Sequence, residues 1–132
     1  MTDTVSEWPP GERSTELLMD LAAALHATAI PADVAEERLG GVAKALGLEA
    51  QFFMMQSFFA TELRRGGVER VGLRRIPFDT HWDLAESAAL AELCRGIVEG
   101  RLDVAAARGE LDRIVNRKRL YPTALAALAW AI

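Results

Sequence analysis

A pair of glycines, Gly66-Gly67, lies between two runs of alternating residues in the middle of the chain, and helical patterns flank these runs on both sides. Adjacent glycines tolerate the positive φ angles that a tight hairpin turn requires. The pattern therefore predicts an antiparallel hairpin within an otherwise helical chain, which restricts the fold to the α+β class. A third strand is predicted ahead of the hairpin, in the aromatic run Gln51–Met55.

The register of the predicted hairpin depends on the length of its loop. A three-residue loop, Arg65-Gly66-Gly67, places Phe59 opposite Leu73 on one face and Glu62 against Arg70 on the other. A two-residue Gly-Gly loop mixes apolar and charged residues on both faces. The longer loop is therefore favoured, and it gives the sheet one apolar face for helices to cover.

Helical spacing of apolar residues predicts two helices before the strands and two after them. At the start of the third helix, Asp83 stands three residues after Thr80, as the acid of a capping box does. The predicted helices are Ser14–Ala29, Pro31–Gly47, Thr80–Gly100 and a fourth that begins at Asp103. The predicted fold is therefore α+β, a small three-stranded antiparallel sheet packed against four helices, with an additional apolar helix at the C-terminus.

The chain of 132 residues is long enough for one domain with a single core. We divide it into a flexible leader (1–13), a folded domain (14–119) and an apolar segment (120–132). The leader has neither a basic stretch nor an apolar run, so it does not resemble a secretory signal.

The apolar segment 120–132 contains no charged residue and follows the basic triplet Arg117-Lys118-Arg119. A membrane-spanning helix needs about 20 apolar residues, so this length favours a core helix, which Pro122 could open. The alternative is the first part of a transmembrane helix, whose basic flank would remain on the cytoplasmic side. The residues alone leave both interpretations open.

Composition excludes several classes of function. The formal net charge of −4 argues against a dedicated nucleic-acid binder. A single cysteine excludes an intrachain disulfide and a cysteine-based zinc site. No segment matches a phosphate-binding loop, a dinucleotide fingerprint or a nucleophile elbow, so we expect neither a cofactor nor a metal.

The remaining candidates are single residues. Cys94 lies on the apolar stripe of the third helix and is expected to be buried. His26 lies in the last turn of the first helix, where an imidazole can bond a free carbonyl, with ligand binding or proton sensing as the alternative. No chemistry is assigned to His81.

The predicted hairpin carries five arginines and two glutamates. Such a cluster is usually a solvated surface, but it could also meet anionic lipid headgroups at a membrane. The charged residues are Glu62, Arg64, Arg65, Glu69, Arg70, Arg74 and Arg75.

A series of short motifs, taken in order, resembles the soluble N-terminal region of the threonine/serine exporter family. The resemblance extends from about Leu18 to the end of the chain. Its motifs are His26-Ala-Thr-Ala-Ile-Pro31, Ala35-Glu36-Glu37-Arg38-Leu39, Ala45-Leu46-Gly47-Leu48, Phe52-Phe53, Asp83-Leu84, Ile97-Val98-Glu99-Gly100-Arg101-Leu102 and Tyr121-Pro122.

Three departures from the family pattern stand out. Ala29 replaces the glycine of a His-x-x-Gly-x-Pro pattern, Gln56-Ser57 replaces a Pro-Thr turn, and Asp83 replaces an asparagine. The resemblance implies that His26, Glu36 and Asp83 are the candidate ligand-binding residues.

The resemblance also implies a function. In this family the region precedes about ten membrane helices, each of the length that a bilayer requires, in the same polypeptide or in a partner subunit. Segment 120–132 then resembles the start of the first membrane helix, and the chain is expected to be a non-enzymatic regulatory or gating domain on the cytoplasmic side of the cell membrane. Its expected partners are those membrane helices, with homo-oligomerisation possible in addition.

Two alternatives come from other classes of protein. A small hydrolase would bring His26, Glu36 or Asp83 into one pocket, with a nucleophile such as Ser57 or Cys94 in reach. A free-standing interaction module would use segment 120–132 to complete its own core or a dimer interface.

Overall fold

The computed structural model describes residues 13–76 and 83–116, and they form an α+β fold. Two helices precede a three-stranded antiparallel sheet of order β1-β2-β3, and two helices follow it. The elements are α1 (Arg13–Ala27), α2 (Ala32–Ala45), β1 (Glu49–Met54), β2 (Phe58–Arg65), β3 (Val68–Arg75), α3 (Leu84–Val98) and α4, whose described part covers residues 104–116. This confirms the predicted fold class and element order.

Several predicted features lie outside the described residues. They are the leader up to residue 12, Thr80, His81 and the apolar segment 120–132 with its basic flank. Within residues 13–76 and 83–116, no helix combines the length and the apolar character that a membrane span requires.

The register of the hairpin differs from the predicted one by one residue. Arg65 pairs with Val68, so the loop is the two-residue Gly66-Gly67 turn, and Phe59 lies opposite Arg74 instead of Leu73. Both glycines have positive φ angles, 57° and 81°, as a tight hairpin turn whose twist matches the strands requires. The predicted three-residue loop is therefore wrong.

The physical reason for this register is a charged residue on the covered face of the sheet. Arg74 lies on the same face as buried Phe59, where its guanidinium donates a 2.8 Å hydrogen bond to Asp20 of α1. The second carboxylate oxygen of Asp20 accepts a 2.7 Å hydrogen bond from Arg108 of α4. Asp20 therefore forms an ion pair with Arg74, which the sequence pattern placed in solvent.

The core lies between the helices and one face of the sheet, which we call the covered face. Leu17, Leu18, Leu21 and Leu25 of α1 are completely buried. They pack in one cluster with side chains from the other helices and from β1 and β2, including Leu39, Phe52, Phe59, Leu63, Leu90, Ile97 and Leu111. Alternate residues of β2, namely Phe59, Thr61 and Leu63, are therefore buried, and the residues between them face away from the helices.

The last two helices begin at aspartates. Asp83 is the N-cap of α3, and its carboxylate accepts a 3.0 Å hydrogen bond from the Glu86 amide. Asp103 accepts an equivalent 2.8 Å hydrogen bond from the Ala106 amide at the start of α4. The predicted start of α4 is confirmed, whereas Asp83 caps α3 itself instead of lying three residues inside it.

Candidate functional site

Two of the three residues implied by the family resemblance meet at the end of β1. His26 Nε2 forms a 2.5 Å hydrogen bond with the carbonyl of Met55, and the amide of Met54 donates a 3.2 Å hydrogen bond to Glu36 Oε1. His26 belongs to the last turn of α1 and Glu36 to α2. Side chains from two successive helices therefore bind backbone groups of two consecutive residues, and we call this arrangement the strand-end clamp.

Local sequence explains why both side chains reach this point. The Thr28 hydroxyl donates a 2.8 Å hydrogen bond to the Leu25 carbonyl and satisfies the end of α1, which leaves His26 available for a distant partner. Pro31 is the N-cap of α2, and its missing amide hydrogen costs no hydrogen bond within the helix. The short connection turns through Ala29, whose φ angle of 59° lies in the left-handed region that glycine adopts more easily.

A small cavity of about 240 Å³ lies beside the clamp. It is smaller than the pockets of roughly 300–1,000 Å³ that bind drug-sized molecules. Its walls are mainly apolar and come from the α1–α2 connection, the first turns of α2 and the end of β1. The lining residues are His26, Ala29, Ile30, Ala32, Ala35, Met54, Met55 and Gln56.

The hydrogen-bond partner of His26 shows which ring nitrogen donates. A carbonyl oxygen only accepts, so Nε2 carries a hydrogen in this contact. The other ring nitrogen, Nδ1, is buried and makes no hydrogen bond to any residue in the described part of the chain. In its contact with Met55 the imidazole therefore acts as the hydrogen-bond donor.

The structure places Asp83 outside this site. Its carboxylate caps α3, and Asp83 is not among the residues that line the cavity. The structure thus gives Asp83 a local structural role, and its ligand-binding role stays a prediction. The ligand-binding roles of His26 and Glu36 also stay predictions, although the clamp brings these two residues to one place.

The candidate nucleophiles do not join the clamp either. Cys94 is buried in the core on α3, and burial raises the pKa of its thiol to about 11, so little thiolate is present at neutral pH. Ser57 lies in the β1–β2 turn, where its carbonyl accepts a 2.8 Å hydrogen bond from the Ile76 amide. Among the described residues, no group of three or more histidine, cysteine, aspartate or glutamate side chains could hold a metal ion.

The arginines of the hairpin are largely engaged within the protein. Arg64 pairs with Glu62 at 2.8 Å and approaches Glu69 at 3.7 Å. Arg65 donates a 3.1 Å hydrogen bond to the carbonyl of Leu46. Together with the Asp20–Arg74 pair, the contacts of Arg64 with its two glutamates neutralise part of the charge of this cluster, which the sequence predicted to be a solvated surface, with lipid headgroups as the alternative partner.

Sequence reasoning missed the backbone groups on which the clamp closes. The relevant atoms belong to Met54 and Met55, whose side chains carry no ionisable group, so no residue pattern marks them. Ala29 did have a signal, because the family pattern has glycine at this position and glycine is typical of a left-handed backbone.

A comparison with models of protein families finds one that matches this chain. The family model whose description reads "Putative threonine/serine exporter" (ThrE) matches residues 16–132. No curated protein and no solved structure matches the chain.

Proposed function

Because the chain belongs to the threonine/serine exporter family, we propose that it is the soluble cytoplasmic domain of an exporter of small amino acids or dicarboxylates. In this proposal the domain is regulatory or gating and performs no catalytic step. The transport pathway is supplied by membrane helices of the same polypeptide or of a partner subunit.

The family match carries this proposal. It extends over residues 16–132 and so includes nearly all of α1, the whole sheet, the later helices and the apolar segment 120–132. In the proposal this segment begins the first membrane helix, and the preceding Arg117-Lys118-Arg119 lies on the cytoplasmic side, as basic flanks do. Thirteen uncharged residues are too few to form a transport pathway, so the chain alone should move no substrate.

The strand-end clamp supports the gating role. His26 and Glu36 connect α1 and α2 to the backbone of Met54 and Met55. A ligand in the adjacent cavity would contact the α1–α2 connection and the end of β1 at once. Contact with several elements at one point allows binding to change their relative positions, which is what a gating domain requires.

The first experiment measures flux of radiolabelled L-threonine and L-serine into proteoliposomes that contain only this chain. We expect flux equal to that of empty liposomes, and clear transport by the chain alone would overturn the proposal.

The second experiment expresses the chain together with the exporter membrane helices encoded with it and measures efflux of L-threonine from loaded cells. Removing residues 13–116 should change the efflux rate at equal abundance of the membrane helices. The matched control replaces exposed Glu37, a neighbour of Glu36 on α2, by alanine. Unchanged efflux after removal of the domain would refute a regulatory or gating role.

A further inference from the structure

The two edges of the sheet differ in how their backbone groups are used. β1 and β3 are the outer strands, because the strand order is β1-β2-β3. At the β1 edge, α2 packs against the strand, and Glu36 accepts a hydrogen bond from the Met54 amide, which points away from β2. The β1 edge is therefore protected at this point against pairing with another strand.

One backbone contact shows which groups of β3 point towards its free edge. The amide of Ile76, just beyond β3, donates a 2.8 Å hydrogen bond to the Ser57 carbonyl of the β1–β2 turn. Because backbone direction alternates along an antiparallel strand, the even-numbered residues of β3 bond to β2. The odd-numbered residues point their amides and carbonyls the other way, and they are Glu69, Val71, Leu73 and Arg75. Within residues 13–76 and 83–116, no hydrogen bond occupies these groups.

The side chains of these four residues lie together on the face of the sheet opposite the covered face. Val71 is 59% exposed and Leu73 49%, and the charged residues at the two ends are exposed as well. Along the strand they read acid, apolar, apolar, base, so the series is complementary to its own reverse. An exposed strand with free backbone groups is a template on which another strand can pair.

Backbone hydrogen bonding limits how two antiparallel copies of β3 can pair. Each outward-pointing residue must lie opposite an outward-pointing residue of the second copy, so the register changes only in steps of two residues. One register pairs all four residues, with Glu69 opposite Arg75 and Val71 opposite Leu73, and each of these pairs occurs twice. A step in one direction places Glu69 opposite Leu73, and a step in the other places Arg75 opposite Val71. Only the first register therefore satisfies every outward-pointing group and both charges.

The centre of this register is a glycine. Gly72 lies opposite Gly72 of the second copy, in a non-hydrogen-bonded pair whose Cα atoms approach to about 4.5 Å. A Cβ at Gly72 would lie 3.2 Å from Thr61 Cγ2 of its own chain, so the close packing of β3 already requires glycine here. The register also brings Arg70 beside Arg74 of the second copy, and Asp20 balances the charge of Arg74 within each chain.

We propose that β3 pairs with β3 of a second copy of this chain in antiparallel orientation, so that three strands from each copy form one continuous sheet. The backbone supplies about eight hydrogen bonds, two for each of the four residue pairs. Cross-strand contacts of Glu69 with Arg75 and of Val71 with Leu73 select a second copy, since a strand of another sequence gains the backbone bonds without them. The inference goes beyond the proposed function and does not depend on it.

The first test measures self-association of the full chain by sedimentation equilibrium over a range of concentrations. Glu69→Arg or Arg75→Glu alone places like charges opposite each other twice in each dimer, and each should raise the dissociation constant about ten-fold or more. The double variant restores opposite charges, and its dissociation constant should return to within about three-fold of the native value. Glu37→Arg, an equal change of charge at an exposed position of α2, is the matched control and should have no effect.

The second test determines the register through disulfide formation between chains. Chains with Val71→Cys are mixed with chains with Leu73→Cys and oxidised, and mass spectrometry identifies the products. Directly opposite residues in a hydrogen-bonded pair have Cα atoms about 5.5 Å apart, which suits a disulfide. The mixed 71–73 product should therefore form faster than the 71–71 or 73–73 products, whose positions are diagonal neighbours roughly 7–8 Å apart. Cys94 is buried and should stay reduced.

Three results would overturn the inference. The first is a monomeric chain at all concentrations up to about 1 mM. The second is a dimer whose dissociation constant is unchanged in both single charge reversals, which would assign association to another part of the chain. The third is a predominance of the 71–71 or the 73–73 disulfide, which would establish a register without the Glu69–Arg75 contacts. None of these results affects the flux experiments, so failure of the inference and failure of the proposed function are distinguishable.

Discussion

Asp20 in α1 and Arg74 in β3 form an ion pair, with 2.8 Å between Oδ1 and Nη1. The other carboxylate oxygen, Oδ2, lies 2.7 Å from Nη1 of Arg108. One aspartate therefore links the edge strand of the sheet to the fourth helix through the first. Although this side chain is 41% exposed, it connects three elements of the fold, α1, β3 and α4.

The Asp20 link should make stability depend on pH. Burial raises the pKa of Asp20, but the hydrogen bonds and charges of Arg74 and Arg108 outweigh burial and hold the pKa below its ordinary value of 3.8. Because the unfolded state then takes up the proton first on acidification, the stabilisation is present above that ordinary value and is lost as the pH falls through the lower folded pKa.

We therefore expect Asp20→Asn to lower the free energy of unfolding at neutral pH by about 1 kcal/mol, a value reduced for solvent exposure. The difference from the native chain should shrink well below pH 3.8. Urea unfolding of the native chain and of the variant, at neutral pH and at a pH well below 3.8, measures this difference in the free energy of unfolding. Asp112→Asn is the control, because Asp112 approaches Arg108 no closer than 3.6 Å and is 59% exposed. Equal losses in the two variants would contradict the role of Asp20.

The Glu36 contact predicts a difference between two substitutions. Glu36→Ala leaves the partly buried Met54 amide without its acceptor and should cost about 1–2 kcal/mol, whereas Glu36→Gln retains an oxygen and should cost less. Glu37→Ala on the exposed side of α2 should have little effect. Hydrogen exchange of the Met54 amide gives the local measurement, and an unchanged exchange rate in Glu36→Ala would show that the contact is not formed in solution.

The left-handed conformation of Ala29 predicts a stabilising substitution. A side chain at this φ of 59° costs about 1–2 kcal/mol, and glycine avoids that cost while adding some freedom to the unfolded chain. Ala29→Gly should therefore raise the free energy of unfolding by about 0.5–1 kcal/mol. Ala88→Gly, at an exposed position inside α3, should lower it by about 1 kcal/mol. Thermal and urea unfolding of both variants test whether their free energies of unfolding change in opposite directions. A loss of stability in Ala29→Gly would show that the backbone at Ala29 is not strained.

The buried thiol of Cys94 predicts slow chemical modification. Burial raises its pKa to about 11, so both access and ionisation oppose reaction in the folded protein. A thiol-specific reagent at mildly alkaline pH should label Cys94 only after addition of denaturant. Rapid labelling of the native chain, at the rate of an exposed cysteine introduced at Leu84, would show that this part of the core opens readily.

The predicted hairpin shows what a local pattern can and cannot determine. The glycine pair and the alternating runs correctly predicted two antiparallel strands and their approximate limits. The register was wrong because the argument assumed that Arg74 faces solvent. Its partner, Asp20, is 54 residues earlier in the chain and on a helix, so a rule about neighbouring strands could not include it.

For the candidate site, the sequence identified two of the side chains but not the groups that they contact. The family resemblance singled out His26 and Glu36, and the structure brings both to the end of β1. Their actual partners are backbone groups 29 and 18 residues away, which no side-chain motif indicates. Asp83 was chosen by the same resemblance, but its carboxylate is occupied by the amide of Glu86, as the N-cap position of a helix dictates.

The strand-end clamp also limits which changes in chain length the domain can accept. His26 and Glu36 lie on opposite sides of the connection between α1 and α2, and both must reach backbone groups of the same two adjacent residues, Met54 and Met55. An insertion or deletion in that connection would rotate α2 relative to α1 and detach one of the two side chains. Natural relatives that retain both contacts should therefore preserve the spacing between these positions, whereas length variation should accumulate at the Gly66-Gly67 turn.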